Sequence, residues 1–176
     1  MTKRNMQYLL LFVVLFTGCN TDLHTKQWAV ETLKDQPQIS IFDGYVNLSY
    51  VENRGMVFGL FQRHGSSLRY FLQLGLTLLA TVSFIIVIWL NRRGSIFFLL
   101  PLFIVLSGAL GNLFYRIRFG HVVDFIHFSF KGPFEFPYVF NVADILISTG
   151  MVLLLLQLIL TRKKAEGEII NGKTVI

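Results

Sequence analysis

The sequence predicts an all-α transmembrane protein, a four-helix membrane bundle with a small extracytoplasmic β-cradle and a return loop. Of its 176 residues, 53% are hydrophobic and only 15% are charged, too little charge to cover the surface of a soluble domain. Apolar segments of about 20 residues, long enough to cross a bilayer as helices, recur along the chain. Basic residues flank these segments, as they do at cytoplasmic helix ends. We predict a single domain over residues 1–176.

The first element is predicted to be a membrane-spanning helix over residues 5–33. Its apolar core is short, because Asp22, His24 and Lys26 follow it closely, but helical periodicity continues to Leu33. Asp22 and Lys26 are four residues apart and share one helix face, where an ion pair reduces the cost of two charges near the membrane surface. On spacing alone, these two residues are predicted to form a structural pair.

The second element is an outer segment over residues 34–67, in which alternating β-forming residues predict a small sheet. Turn signals at Asp43-Gly44 and Arg54-Gly55 separate the short strands. The strands are predicted over residues 39–41, 45–51 and 56–58. This segment is the predicted β-cradle.

The remaining elements alternate between spans and a loop. Two spans are predicted over residues 68–90 and 95–115, because both runs are rich in Leu, Ile and Phe. Residues 116–138 contain two glycines and two prolines, which predict a loop that returns to the membrane. The last span is predicted over residues 139–160, which form another apolar run.

The positions of the basic residues predict the topology. They cluster beside apolar segments at Lys3-Arg4, Arg92-Arg93 and Arg162-Lys163-Lys164. This pattern places both termini in the cytoplasm, with the last cluster on the anionic inner leaflet. The formal charge of +6 therefore reflects membrane topology, and we expect no nucleic-acid partner.

Two acidic residues are the main candidates for chemistry, because ionisable residues in or beside membrane spans are functional candidates. Asp124 lies in an apolar stretch after the third span, and Asp144 lies in the second turn of the fourth. Both are expected at the outer ends of adjacent helices. Two neighbouring carboxylates cannot both ionise easily, so one can activate water while the other donates a proton, as an aspartic protease requires. The alternative is that each acid caps a helix or pairs with Arg116 or Arg118.

Two asparagines are expected close to these acids. Asn112 and Arg116 are four residues apart on one helix face, and Asn141 and Asp144 are three apart. The two amides are expected either to hydrogen-bond the carboxylates or a substrate backbone, or to serve as polar links between helices.

The sequence argues against metal and serine chemistry. His64, His121 and His127 lack metal-ligand spacing, and neither a His-Glu-x-x-His nor a Gly-x-Ser-x-Gly motif is present. We expect no metal and no cofactor. The only cysteine, Cys19, excludes an intrachain disulfide and is expected to be a packing residue. In the alternative interpretation, the run before Cys19 is a lipoprotein signal and Cys19 carries a lipid.

Five sequence elements, in order, resemble those of the lipoprotein signal peptidases (signal peptidase II). The matching residues are Asp22, Thr25 and Lys26; Asn53, Gly55, Phe58 and Gly59; Gly111, Asn112, Leu113 and Arg116; Val122, Val123, Asp124 and Phe125; and Phe140, Asn141, Ala143 and Asp144. The resemblance covers most of the chain. One position departs from it, because this chain has Tyr115 where the family usually has Asp.

The resemblance implies a function. Asp124 and Asp144 would be the catalytic pair of an aspartic endopeptidase in the bacterial inner membrane, with its active site at the outer face. The substrate would be a prolipoprotein whose Cys already carries diacylglycerol, cut just before that Cys within membrane lipid by a monomeric enzyme. Residues expected to bind substrate or support the pair are Asn53, Gly55, Asn112, Arg116, Asn141, Asp22 and Lys26. The rival hypothesis is a non-catalytic four-span protein whose acids form a proton or ion path.

Overall fold

Four long helices and a small antiparallel sheet form the fold. The computed structural model describes residues 2–54, 66–129 and 138–170. In chain order the elements are α1 (Lys3–Leu33), β1 (Ile39–Ile41), β2 (Val46–Asn53), α2 (Ser66–Leu90), α3 (Ile96–Phe119), β3 (Val122–Phe128), β4 (Val139–Phe140) and α4 (Val142–Ile170). All four of these helices are long and apolar enough to cross a membrane. The predicted combination of membrane-capable helices with a small sheet is confirmed.

Helix α3 is the centre of the bundle. In its apolar window 61% of the residues are buried, compared with 11% or less in the other three helices. Helices α1, α2 and α4 therefore surround α3 and leave large apolar side chains exposed, as helices that face lipid do. At one end of α3, Tyr115 packs into a core with Ala29 and Leu33 of α1 and with Val123 and Phe125 of β3. This core fixes the sheet against the helices.

The sheet has the strand order β1-β2-β3-β4, and all of its neighbouring strands are antiparallel. In the pairing of β2 with β3, Val51 lies opposite Asp124 and Asn53 lies opposite Val122. Residues opposite each other in an antiparallel pair project from the same face. The register therefore places the side chains of Asn53 and Asp124 on one face, close to each other.

The prediction of a loop over residues 116–138 is wrong for its first half. Helix α3 continues to Phe119 and ends at Gly120, whose positive φ of 77° reverses the chain while its N–H bonds to the Arg116 carbonyl at 3.1 Å. The next residues form β3, so Asp124 lies in a strand and not at a helix end. A local pattern cannot show this, because β3 pairs with a strand that lies far away in the sequence.

The start of the last helix also differs from the prediction. Val139 and Phe140 form the short strand β4, and α4 begins at Val142. Asp144 consequently lies in the first turn of α4 and not in the second. The predicted strand over residues 56–58 and the proline-rich half of the return loop lie outside the described residues.

Close contact between α1 and α3 depends on Gly111. A Cβ atom at this position would overlap the Asp22 carboxylate. We expect Gly111→Ala to lower the free energy of unfolding by about 1–3 kcal/mol, because the side chain of a buried ion pair would have to move. Gly75→Ala is the matched control, since nothing lies within 4 Å of the added Cβ. Thermal unfolding in detergent measures both, and equal transition temperatures would contradict the prediction.

Candidate active site

A buried ion pair lies at the base of the site. The Lys26 ammonium lies 2.6 Å from Asp22 Oδ2, and both side chains are 0% exposed. The pair predicted from the four-residue spacing therefore forms, entirely inside the protein. Lys26 also donates a hydrogen bond to Asn112 Oδ1 at 2.7 Å. Such partners are necessary, because a buried charge without them is strongly destabilising.

Asp22 connects α1 to the start of α4. Its second carboxylate oxygen, Oδ1, accepts a hydrogen bond from the backbone N–H of Ala143 at 2.9 Å. The first N–H groups of a helix have no partner within the helix, so a carboxylate is a favourable acceptor there. Asp22 thus fixes the position of the helix end that carries Asp144.

Asn141 and Asp144 form a capping box at the N-terminus of α4. The Asp144 N–H donates to Asn141 Oδ1 at 3.1 Å, and the Asn141 N–H donates to Asp144 Oδ2 at 3.1 Å. Asp144 therefore does take part in capping a helix, as the alternative interpretation predicted, and this cap uses one of its two carboxylate oxygens. The Asn-x-x-Asp spacing is a sequence signal of this cap that the prediction of a shared helix face did not use.

The other oxygen of Asp144 is bound by Asn112, whose Nδ2 donates to Asp144 Oδ1 at 3.0 Å. The orientation of this amide is determined by its neighbours. An ammonium group is only a donor, so Asn112 must turn its oxygen to Lys26 and its NH2 group to Asp144. A continuous chain of hydrogen bonds therefore connects Asp22, Lys26, Asn112 and Asp144.

Asp124 is buried on β3 and accepts two hydrogen bonds from amides. Asn53 Nδ2 donates to its Oδ2 at 2.8 Å, and Asn141 Nδ2 donates to its Oδ1 at 2.5 Å. Burial raises the pKa of Asp124 to about 6, and the nearby Asp144 carboxylate acts in the same direction, while the two amides oppose the rise. Asn141 contacts both acids, so the two carboxylates belong to one coupled site.

Arg116 lies beside this site without an acidic partner among the described residues. Its Nη1 donates to the Asn112 carbonyl at 3.5 Å, and its buried Nε has no hydrogen-bond partner there. No described ion pair joins Arg116 or Arg118 to Asp124 or Asp144. The alternative in which each acid pairs with Arg116 or Arg118 is therefore not observed in the described part of the chain.

Tyr115, which stands where the family usually has Asp, contacts Lys26. The Lys26 ammonium lies 5.1 Å from the centroid of the Tyr115 ring, a distance typical of a cation–π contact. Tyr115 is only 5% exposed, and its ring also packs on Phe119 at 5.0 Å between centroids. Tyr115 thus contacts the buried ion pair.

A pocket of about 380 Å³ opens beside Asp144. Its lining is mostly apolar and consists of Tyr138, Phe140, Asp144, Ile145, Ser148 and Thr149. Asp144 is partly exposed to this pocket, whereas Asp124 is 2% exposed. An apolar pocket with a carboxylate in its wall is suited to hold a chain next to a reacting group.

Of the residues predicted for the site, the structure joins seven in one hydrogen-bonded network: Asp22, Lys26, Asn53, Asn112, Asp124, Asn141 and Asp144. Arg116 lies at the edge of this network, and Gly55 lies outside the described residues. Sequence reasoning missed the backbone N–H of Ala143 as a partner of Asp22. Within the described ranges, no group of three or more His, Cys, Asp or Glu side chains is placed to hold a metal ion.

Comparison with solved structures defines the class of fold. The chain superimposes on a bacterial membrane enzyme determined by the in meso method at 1.9 Å resolution, with a TM-score of 0.69 and 22% sequence identity. The match covers 85% of this chain and 92% of that chain. The protein therefore has the fold of a membrane enzyme.

Sequence comparison then gives the family. Residues 12–160 match the family of signal peptidase (SPase) II. The lipoprotein signal peptidase of Clostridium tetani is 34% identical over 84% of this chain and 90% of that protein. The enzyme of the same name from Clostridioides difficile is 36% identical over 92% of this chain and 100% of that protein. The chain belongs to the signal peptidase II family and is a membrane protease, which fits a multi-pass inner-membrane protein.

Proposed function

We propose that this chain is an aspartic endopeptidase that removes the signal peptide from diacylglyceryl-modified prolipoproteins, cutting just before the lipidated Cys. The observation that carries the proposal is the coupling of two carboxylates through one residue, Asn141: its side-chain amide donates to Asp124 and its backbone N–H donates to Asp144. Two coupled carboxylates hold one proton between them and can act as an acid and a base in the same reaction. The names of the relatives support the substrate class.

The neighbouring polar residues support the acid pair in this proposal. Asn53 and Asn112 each donate to one of the carboxylates. Arg116 Nε has no hydrogen-bond partner among the described residues and is proposed to donate to a substrate carbonyl. Gly55, two residues after Asn53, is proposed to allow a close approach of the substrate to the backbone. Asp22 and Lys26 hold α4 and Asn112 in place and are not expected to touch the substrate.

The membrane takes part in the proposed reaction. The basic clusters beside the spans favour a cytoplasmic position for both termini, and in this proposal the sheet and the two acids therefore lie at the outer face. A lipid attached to the substrate anchors it in the bilayer, which holds the bond to be cut near the acids and raises their effective concentration. The mostly apolar pocket beside Asp144 is where we place the substrate chain. The enzyme is proposed to act as a monomer without metal or cofactor.

Cleavage by the purified protein tests the proposal. In detergent without any ion gradient, a diacylglyceryl-modified prolipoprotein should be cut, and mass spectrometry of the products should place the new amino terminus at the lipidated Cys. The same substrate with its Cys replaced by Ser cannot carry the lipid and serves as the control. An inert protein that instead moves protons or ions across liposomes would support the rival ion-path hypothesis.

The alternative of a lipid on Cys19 has its own test. Cys19 is half-buried within α1, which is continuous from Lys3 to Leu33. Processing before Cys19 would remove more than half of this helix. Mass spectrometry of the intact protein decides the matter, because an amino terminus at Met1 or Thr2 excludes that processing.

A further inference from the structure

We propose that the two acids have fixed roles: Asp144 is the ionised residue that takes a proton from water, and Asp124 is the acid that protonates the substrate carbonyl. Lys26 is a positioning residue that sets this division by orienting Asn112. The inference rests on the proposed function, since it assigns the two roles within the same acid pair.

Three features of Asp144 favour its negative charge. It lies in the first turn of a 29-residue helix, where the helix dipole stabilises an anion. A backbone N–H, that of Asn141, donates to one of its oxygens. The amide of Asn112 donates to the other oxygen, and Lys26 polarises this amide from behind. Its partial exposure to the neighbouring pocket also keeps it within reach of water.

Asp124 lies in a different environment. It is on a strand, so no helix dipole acts along its element, and both of its described hydrogen bonds come from the side-chain amides of Asn53 and Asn141. It is almost completely buried, and burial penalises a carboxylate more than a carboxylic acid. The proton shared by the pair is therefore held by Asp124.

Other charged groups also act on the two acids. Lys26 of α1 and Arg116 of α3 interact electrostatically with Asp124 and with Asp144, and Asp22 of α1 interacts with Asp144. Lys26 and Arg116 act on both carboxylates with the same sign. The negative charge of Asp22 disfavours a charge on Asp144, but it is compensated by the ion pair with Lys26. Among the charged groups, the one that acts differently on the two acids is therefore Lys26, whose hydrogen-bonded path ends on Asp144.

The roles give a balanced reaction. Asp144 removes a proton from water as the water oxygen bonds to the carbonyl carbon, and Asp124 gives its proton to the carbonyl oxygen. The resulting tetrahedral intermediate carries two hydroxyl groups. Asp144 then passes its proton to the departing nitrogen as the C–N bond breaks, and one hydroxyl returns its proton to Asp124 as the new carboxylic acid forms. Both acids end in their starting states.

Two matched variants test the assignment, because each removes one amide donor from one carboxylate. Asn112→Ala removes a donor from Asp144, and Asn53→Ala removes one from Asp124. The readout is the pH dependence of kcat/KM, whose acidic limb reports the base and whose basic limb reports the acid. Losing a donor makes a carboxylate harder to ionise, so the affected limb moves to higher pH by about 1 unit.

We expect Asn112→Ala to move the acidic limb and Asn53→Ala to move the basic limb. If the two variants move the opposite limbs, or each moves both limbs equally, the assignment is wrong even though the enzyme is an aspartic protease. Each variant tests the assignment independently. If Asn112→Ala does not fold, Asn53→Ala still tests it. A parent protein that does not cut lipidated substrate at all would instead refute the proposed function.

Discussion

Replacement of either acid by its amide is expected to lower kcat for prolipoprotein cleavage by at least about 1000-fold. Asp124→Asn removes the proposed proton donor and Asp144→Asn removes the proposed base, while both keep the size of the side chain. Because the two acids act as a unit, the double variant should lose little more than either single one. Initial rates with a diacylglyceryl-modified prolipoprotein in detergent measure the effect.

The matched control is Asp43→Asn, an identical change at an exposed turn residue outside the site. Its rate should equal that of the parent. A cleavage rate for Asp124→Asn or Asp144→Asn within about tenfold of the parent would show that the acids serve another purpose, since general acid–base catalysis contributes far more than that.

The Asp124→Asn variant should remain folded, and its stability should depend less on pH than that of the parent. Because the pKa of Asp124 is raised in the folded protein, its ionisation opposes folding, and stability is lost as the pH rises from about 4 towards 6. The amide cannot ionise, so this loss should disappear. We expect the variant to gain about 3 kcal/mol relative to the parent above pH 6, compared with pH 4, in thermal unfolding. If this gain is observed, a low activity of Asp124→Asn cannot be attributed to unfolding of the variant.

Lys26→Met is expected to have the largest effect on stability, with a loss of about 3–5 kcal/mol. The substitution leaves the Asp22 carboxylate buried without its cation, although the Ala143 N–H still donates to it. It also frees the oxygen of Asn112, so the amide can rotate away from Asp144. Thermal and denaturant unfolding in detergent measure the loss.

Two comparisons separate charge from packing in this prediction. The double variant Asp22→Asn, Lys26→Met removes both charges and should recover most of the lost stability, because a neutral amide costs less to bury than a carboxylate. Lys3→Met, at an exposed position in the first turn of α1, should change stability by less than about 0.5 kcal/mol. If the double variant is no more stable than Lys26→Met, the methylene packing of Lys26 is the dominant contribution.

Local spacing made part of the structure predictable. The apolar runs predict the four helices, because the length that crosses a bilayer is a property of one segment at a time. The contact of Asp22 with Lys26 follows from a single helical turn for the same reason. The strands β1 and β2 lie within the predicted β segment, where residue alternation is also local.

Contacts between distant segments were not predictable in the same way. Asp124 was expected at a helix end, but it lies in β3 because a strand more than 70 residues earlier supplies the hydrogen-bonding edge, and that strand also supplies Asn53. Which acid holds the proton likewise depends on neighbours from α1, α3 and α4 together. Such an environment exists only after the chain has folded, so it cannot be predicted from the spacing of residues along the sequence.

The amide of Asn141 has both of its ends occupied, the oxygen by a backbone N–H and the NH2 group by a carboxylate. Among residues of similar size, Asp has no donor, Leu has neither group, and Ser and Thr are too short to reach both partners. Gln carries the same groups but is one methylene longer. Position 141 should therefore tolerate almost no substitution in a saturation library, although its side chain need not touch the substrate. Mutational intolerance at this position would show that Asn141 is needed to connect the start of α4 to β3. By itself it would not identify Asn141 as a catalytic residue.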